Sequence, residues 1–317
     1  MRVVFIGTGE IGVPTLRWLL ETKDHELVGV VTQPDKPVGR SQRLTSPPIK
    51  EALAGSTLPI LQPVRLKRDE AAVAAIRSLT PDLIIVVAYG QILPRAVLEI
   101  PSVACLNLHA SLLPHHRGAA PIQAALMSGD PQTGITVMFM DEGLDTGDIL
   151  LQKRIAIGED ETGGTLHDRL GALAPTALRD ALTEFKSGKV PRVPQNPLQA
   201  TYAPKLEREH GLLDIRESTI VNERKIRAFD PWPGSYLVLR DGSALVRKLK
   251  VFGAVVADRP FMRPGEISVA NDSVIIGVKD GALQLRDVQL EGKTRMSAAE
   301  FARGHSWLKT AIVAPAT

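Results

Sequence analysis

An α/β fold, with a doubly wound and mostly parallel sheet followed by a small β-barrel, is what this 317-residue sequence predicts. Three observations carry that expectation. Short apolar runs alternate with longer helical stretches up to about residue 187, the pattern of a sheet covered by helices on both faces. PRVPQNP at 191–197 then puts three prolines in seven residues and reads as an extended connector. Beyond it come about five short strands separated by turn signals, which suggest a small antiparallel barrel.

Taken in order, strands are expected at about 2–6, 26–32, 82–87, 104–108 and 135–140. Helices are expected between and after them at about 14–22, 69–78, 121–128 and 165–187. Residues 84–87 lie in a nearly continuous apolar run, as a central strand buried on both faces requires; Pro81-Asp82 opens it and Tyr89-Gly90 closes it. Thr165 is the expected N-cap of the helix that ends the first domain. After the connector, residues 218–229 read as a helix anchored by Ile220, Ile226 and Phe229 and stopped by Asp230-Pro231-Trp232-Pro233-Gly234. Strands follow near 235–239, 244–253, 265–270, 273–278 and 282–290, with turns at Asp241-Gly242, Asn271-Asp272 and Asp280-Gly281. The expected division is residues 1–189, a linker at 190–206, and residues 207–317. No internal repeat or low-complexity tract is present.

The bulk composition restricts the function classes. Hydrophobic residues make up 44% of the chain, ordinary for a globular protein. No apolar run reaches the roughly 18 residues that a membrane helix needs. The N-terminus opens on a charged residue and a strand, so no signal peptide is expected. A single cysteine cannot form an internal disulfide, which fits a reducing cytosol. The net charge of +3 is spread unevenly: residues 200–317 hold 18 Lys+Arg against 14 Asp+Glu, or +4, and the rest carries −1. An excess of positive charge in the C-terminal domain favours a phosphate backbone as partner. Aromatic residues are only 4% of the chain, so electrostatic contact is a better expectation than base stacking.

The chemistry concentrates in NLHASLLPHHRGAAPIQ at 107–123 and DEGLDTGD at 141–148. The apolar lead-in at 103–106 makes Asn107 and His109 the end of a buried strand, and residues two apart on a strand point the same way. A second apolar run, 134–140, ends at Asp141, and a Gly-rich turn carries Asp145. In open parallel sheets, ligands bind outside the carboxyl ends of the strands. An amide, an imidazole and a carboxylate arriving there together suggest a reaction centre. The bland alternatives are a hydrogen-bonded structural histidine and ordinary turn chemistry at Asp145. Cys105, beside this block, is either a nucleophile or a buried core thiol, and its apolar strand favours the latter.

Asn107, His109 and Asp145, with SLLP at 111–114, RG at 117–118 and LDTGD at 144–148, resemble the folate-dependent formyltransferases. Within that family, the motif order is similar to that of the methionyl-tRNA formyltransferases: TQPDKPVGR at 32–40, VVAYGQILP at 86–94, RGAAPIQ at 117–123, TYAPKL at 201–206 and IRAFDPWPGS at 226–235. The resemblance covers nearly the whole chain. It implies a Rossmann-like formyltransferase domain, an OB-like barrel, and formyl transfer from 10-formyltetrahydrofolate to the methionine amine of initiator methionyl-tRNA. It further implies a cytoplasmic monomer, with no membrane, metal or NAD involved.

By the same resemblance, Asn107 and His109 donate to the formyl oxygen as negative charge develops there, and one such donor is typically worth about 10²–10³ in rate. Asp145 orients His109 and holds a water that relays the proton lost by the amine. Whether His109 acts as proton acceptor or as charged donor is left open. Ser111, Leu112, Leu113 and Pro114 lie along the folate. The pterin is held largely by backbone groups of Tyr89, Gly90, Gln91, Ile92 and Leu93 and of Met140, Asp141, Glu142, Gly143 and Leu144. Lys36, Arg40 and Arg43 belong to a basic loop that enters the tRNA acceptor stem; with Lys50 it holds four bases against Asp35 alone from 33 to 50.

The chain departs from the family pattern at Gly9 and Ile11, at His115-His116, and at His210 and Ile215. None of these touches the three catalytic positions; the first two groups border the cleft and bear on substrate fit. Gly7, Gly9 and Gly12 also spell GxGxxG between a strand and a helix, the dinucleotide fingerprint. The second strand should then end in an acid, but it ends in Thr32-Gln33-Pro34, and Asp35 comes late. A tight turn at a helix N-terminus lining the cleft is the better reading. Competing functions are a related formyltransferase or hydrolase, acting on a sugar-nucleotide, a purine precursor or the donor itself, and an RNA-binding module with an inactive folate site.

Overall fold

A computed structural model describes residues 1–39, 42–188, 190–241, 246–258, 262–270 and 272–314. Arg40, Gly242 and Asn271, and the first two residues of the strand expected at 244–253, lie outside them. Contacts divide the chain into two units. One comprises Met1–Pro121, Gln132–Ala156 and His167–Pro204, and the other Ile122–Pro131, Ile157–Leu166 and Lys205–Thr317.

The first unit contains β1 (Arg2–Gly7), β2 (Glu26–Val31), β3 (Lys36–Val38), β4 (Arg43–Thr45), β5 (Ile60–Leu61), β6 (Leu83–Val87), β7 (Ala104–His109), β8 (Arg117–Gly118), β9 (Gln132–Phe139), β10 (Ile149–Ala156) and β11 (Tyr202–Ala203). Seven of them form one sheet in the order β10-β9-β7-β6-β1-β2-β5. β5, β2, β1, β6 and β7 run parallel, and β9 and β10 are added antiparallel. β10 is absent from the sequence expectation, because Gln152-Lys153-Arg154 interrupts its apolar character on a strand that is only half covered. β3 and β4 form a separate hairpin, exposed throughout, so no apolar periodicity marks it.

The order fixes the site. β1 pairs with β2 on one side and β6 on the other, so the chain reverses direction across the sheet there, and a crevice opens beyond the strand ends. β1 and β6 are β-branched and almost entirely buried; Val4, Ile6, Ile84 and Val86 join Leu66, Ile76 and Val97 in one core. Burying each such side chain stabilises the fold by about 1.5–3 kcal/mol. The helix Glu70–Ser78 begins at Asp69, whose carboxylate accepts the Ala72 amide at 2.9 Å. The connector belongs to this unit: Val193 pairs with Ile149 at the outer strand, and β11 pairs in parallel with β8.

The second unit is a nearly closed antiparallel barrel. Its strands are β12 (Ser235–Arg240), β13 (Val246–Val256), β14 (Ile267–Ala270), β15 (Ser273–Val278), β16 (Gly281–Leu290), β17 (Met296–Ser297) and β18 (Ile312–Val313). The path runs β14-β15-β16-β13-β12-β18, and a bridge between Glu266 and Ile312 brings its two ends together. The two shortest strands, β17 and β18, are missing from the expected five. The helix Thr219–Ala228 is capped by Ser218, whose Oγ accepts the Val221 amide at 3.3 Å. Ile226 and Phe229 are buried as expected, but Ile220 is 46% exposed and anchors nothing. The cap of Gly163–Ser187 also differs from expectation. Thr162 precedes the helix and its Oγ1 accepts the Thr165 amide at 3.2 Å, while Thr165 Oγ1 accepts the Thr162 amide at 2.9 Å. Thr165 is thus the reciprocal partner of the cap, three residues in. Among the described residues, no helix is long and apolar enough to cross a membrane.

Candidate active site

Asn107 and His109 stand on the same face at the end of β7, Asn107 half-buried and His109 buried. β7 is held between β6, where Val86 pairs with Asn107, and β9, where Thr136 pairs with His109. Asp145 arrives from the turn between β9 and β10. Its carboxylate gathers three donors or donor candidates: Asn107 Nδ2 at 3.4 Å from Oδ1, the Gly118 amide at 2.8 Å from Oδ2, and His109 Nδ1 at 3.6 Å from Oδ2. An amide, a ring nitrogen and an acid thus share one spot beyond the sheet.

The tautomer of His109 follows from its partners. Nε2 lies 2.9 Å from the His116 carbonyl, which can only accept, so Nε2 carries a hydrogen and donates it. Nδ1 is the atom that faces Asp145 and remains for a reacting group. Asp145 itself has φ +53°, in the left-handed region, which costs a residue with a side chain about 1–2 kcal/mol. Such strain persists only where surrounding contacts over-determine it. Here the Phe139 amide donates to Asp148 O at 2.9 Å, and Gln195 Nε2 donates to Asp145 O at 2.9 Å and Gly147 O at 2.8 Å.

The segment 111–114 divides in its use. Ser111 and Leu113 build the loop: Ser111 Oγ donates to His115 O at 2.6 Å, and the buried Leu113 amide donates to Thr136 Oγ1 at 3.1 Å. Leu112 and Pro114 are partly open. In the loop after β6, the Tyr89 ring and Leu93 are buried in the core, and the Tyr89 carbonyl accepts from Thr8 Oγ1 and Gln33 Nε2. Burial pushes the Tyr89 hydroxyl up to about 12, with the Asp69 charge adding to the effect. Gly90 has φ +77°, Gln91 Oε1 accepts the Leu66 amide, and Ile92 is 74% exposed. In the other loop, Met140 packs on the core and the Asp141 carboxylate is taken by Thr146 Oγ1 and the Gly143 amide. Glu142, Gly143 and Leu144 are exposed.

In the basic hairpin, Lys36 Nζ donates to Gln33 Oε1 and Arg43 is exposed beside the exposed apolar Val38 and Leu44. Lys50 is not part of this surface: on the helix Pro48–Glu51 it pairs with Asp35 at 2.8 Å. Hydrogen bonds from Gln62 and then Lys50 hold the Asp35 carboxyl below the usual carboxylate range. Of the three glycines in GxGxxG, Gly7 is sterically required, since a Cβ would meet the Val87 carbonyl at 2.8 Å. Gly9 has φ −78° and a Cβ there would meet only Ala88 Cβ at 3.9 Å, an ordinary contact, so nothing there demands glycine.

One departure does touch a catalytic position, against expectation, because the loop after β7 folds back and brings the His116 carbonyl to His109; the others fall in supporting places. His116 contributes through its backbone, its carbonyl to His109 and its amide to Thr201 Oγ1 at 2.8 Å. Ile215 is a core residue of the barrel, and His210 Nδ1 accepts the Glu207 amide. Cys105 is buried in β7, and burial pushes its thiol up to about 12, which suits a core thiol.

Sequence reasoning missed Thr136, Gln152, Thr201 and Gln195. Gln152 Nε2 donates to Leu113 O and Thr136 Oγ1, fixing the 111–114 loop from β10. Gln195 also accepts from the buried Arg117 guanidinium at 3.1 and 2.7 Å. No motif spacing marks Thr136, Gln152 or Gln195; Thr201 opens the TYAPKL stretch, which carries the resemblance but gives this residue no role. Among the described residues, no group of three or more His, Cys, Asp or Glu is arranged to hold a metal. A cavity of about 630 Å³ lies wholly in the second unit, lined by Asp130, Arg224, Arg227, Phe252 and Arg286 among others, and includes none of the three catalytic candidates.

Comparison with known proteins bears on this geometry. The sequence matches the family model for Formyl transferase over residues 1–182 and that for Formyl transferase, C-terminal domain, over residues 205–306. It is 44% identical to a methionyl-tRNA formyltransferase of Geobacter sulfurreducens over 96% of this chain and 94% of that one. It is 43% identical to the enzyme so named in Akkermansia muciniphila over 98% of both chains. Among solved structures, WlaRD, a sugar 3N-formyl transferase crystallised in the presence of dTDP and 5-N-formyl-THF, shares the fold with a TM-score of 0.66 at 15% identity, over 93% of this chain and 99% of that one. HypX from Aquifex aeolicus in complex with tetrahydrofolic acid gives a TM-score of 0.62 at 19% identity, over 95% of this chain and 47% of that one.

Proposed function

Because the chain belongs to the formyl transferase family, we propose that it moves the formyl group of 10-formyltetrahydrofolate to the methionine amine of initiator methionyl-tRNA, giving N-formylmethionyl-tRNA for translation initiation. The acceptor is supported by 44% identity over nearly the full chain to enzymes whose names state it. The reaction is carried by one observation: the Asp145 carboxylate lies 3.6 Å from His109 Nδ1 and 3.4 Å from Asn107 Nδ2. The donor supplies a formyl group on a nitrogen that departs as tetrahydrofolate. The residues present suit it. Exposed Ile92 and Leu144 stand on the two loops assigned to the pterin and offer apolar cover, with backbone groups to orient a flat ring.

Asp145 accepts the proton of the attacking amine, directly or through one water, and the proton ends on the departing nitrogen. Asn107 Nδ2 carries a second hydrogen beyond the one directed at Asp145, and it donates to the formyl oxygen as charge gathers there. His109 Nδ1 serves the same oxygen or the proton path. In this reading residues 1–189 carry the chemistry and residues 190–206 connect. Residues 207–317 engage the tRNA backbone, and Lys36, Arg40 and Arg43 engage the acceptor stem. The enzyme works as a cytoplasmic monomer without metal or nicotinamide.

Incubation with the formyl donor and charged initiator tRNA should give formylmethionyl-tRNA. A folded protein that yields none, or that turns over water or a sugar amine faster than charged tRNA, overturns the assignment.

A further inference from the structure

We propose that Gln195, in the proline-rich connector, is a positioning residue that fixes the direction of the Asp145 carboxylate. The proposal rests on the role given to Asp145 above. Gln195 is half-buried between Pro194 and Pro197, and its amide makes four hydrogen bonds. Oε1 accepts Arg117 Nε at 3.1 Å and Nη2 at 2.7 Å; Nε2 donates to Asp145 O at 2.9 Å and Gly147 O at 2.8 Å. A primary amide accepts at one end and donates twice at the other; Glu cannot donate, Lys cannot accept and Met does neither.

These bonds close a ring. From the Arg117 guanidinium the path runs through the Gln195 amide to the Asp145 backbone, along the Asp145 side chain to the Gly118 amide at 2.8 Å, and back to Arg117. Arg117 is 4% exposed, so the guanidinium has little freedom to follow a moving partner. The turn that Gln195 grips is the one in which Asp145 occupies the left-handed region, a state that outside contacts must hold. Without the two donors, the turn keeps the Phe139–Asp148 backbone bond but loses its hold on the residue whose side chain reaches His109 and Asn107.

The test uses the full chain with Gln195→Glu and Gln195→Met. Glu keeps acceptors for Arg117 and sets an acceptor against two carbonyls. Met removes both halves. For both variants kcat of formylation is expected to fall about 10- to 100-fold with KM for donor and tRNA within about twofold, as for a misplaced rather than a missing group. Independently of activity, exchange of the Gly118 amide is expected to quicken about tenfold. The Met140 amide, bonded to Cys105 O, should be unchanged. With Glu, the Arg117 and Ala119 amides, bonded to Thr201 O and Ala203 O, should stay protected.

Wild-type kcat and unchanged Gly118 exchange in Gln195→Glu overturn the proposal. So does joint loosening of Arg117, Gly118 and Ala119 with a raised KM alone, which means that Gln195 only seats the connector. If the wild-type chain formylates nothing, the proposed function falls, and Gly118 exchange still decides whether Gln195 holds Asp145.

Discussion

Replacing Asp145 by Asn removes one charge while keeping nearly the same shape. The amide can orient only one way. Its nitrogen cannot sit 2.8 Å from the Gly118 N–H, so its oxygen takes that place and its NH₂ faces Asn107 Nδ2, donor against donor. Asn107 then loses an acceptor and His109 loses a negative neighbour. With His109 in its charged-donor form, the pair 3.6 Å apart interacts by about 4–5 kcal/mol at an effective dielectric of about 20. Both side chains are well buried, at 6% and 14% exposure, so little of this is screened. The amide dipole and local water offset part of it, leaving about 2–4 kcal/mol, or about 30- to 900-fold in kcat. Single-turnover formylation with both substrates saturating measures that step directly, and thermal unfolding checks that the fold is kept. A folded Asp145→Asn enzyme within about threefold of wild type would mean that the charge does no work in the reaction, and the mechanism above would be wrong.

Four further outcomes are expected. Lys36→Ala with Arg43→Ala raises KM for tRNA but not for the donor, and each lost phosphate contact lowers the slope of log affinity against log salt by about 0.9; an unchanged slope removes the hairpin from the RNA surface. The Cys105 thiol holds its proton up to about 12 in the fold against an ordinary thiol value of 9.0, so native protein resists alkylation that unfolded protein does not. Because the folded value is the raised one, Cys105 favours the fold below 9.0 and that contribution is lost as pH climbs towards about 12; urea titrations of wild type and Cys105→Ala across the alkaline range show the difference as a shallower loss in the variant. Gly134→Ala puts a Cβ 1.9 Å from the Lys153 carbonyl, separates β9 from β10 and costs about 2 kcal/mol or more in urea unfolding.

What the sequence made legible follows burial. β1, β6 and β7 are runs of apolar residues closed in on both faces, and their positions are readable to within a residue or so. β10 carries Gln152-Lys153-Arg154 in succession and the β3–β4 hairpin is exposed throughout, so neither shows an apolar run or a clean alternation. Within the site, residue types and order were readable for Asn107, His109 and Asp145. The ring nitrogen of His109 that remains for a reacting group was not, because a backbone carbonyl, that of His116, decides it. The resemblance places Ser111 and Leu113 along the ligand, and what the fold adds is the bonds from Ser111 Oγ to His115 O and from the Leu113 amide to Thr136 Oγ1 that hold this loop in shape. Lys50 adds to the basic count of the loop in the sequence, but in the fold its charge is paired with Asp35.

The stretch from Val193 to Ala203 has a practical consequence. It supplies a partner to β10, a grip on the Asp145 turn, and acceptors for the Arg117 and Ala119 amides. A protease that cuts there would silence catalysis even if every helix and strand on either side stayed intact. Chimeras that exchange the barrel between relatives should therefore be spliced after Pro204, where the first unit ends, and not at the prolines that look like a natural seam.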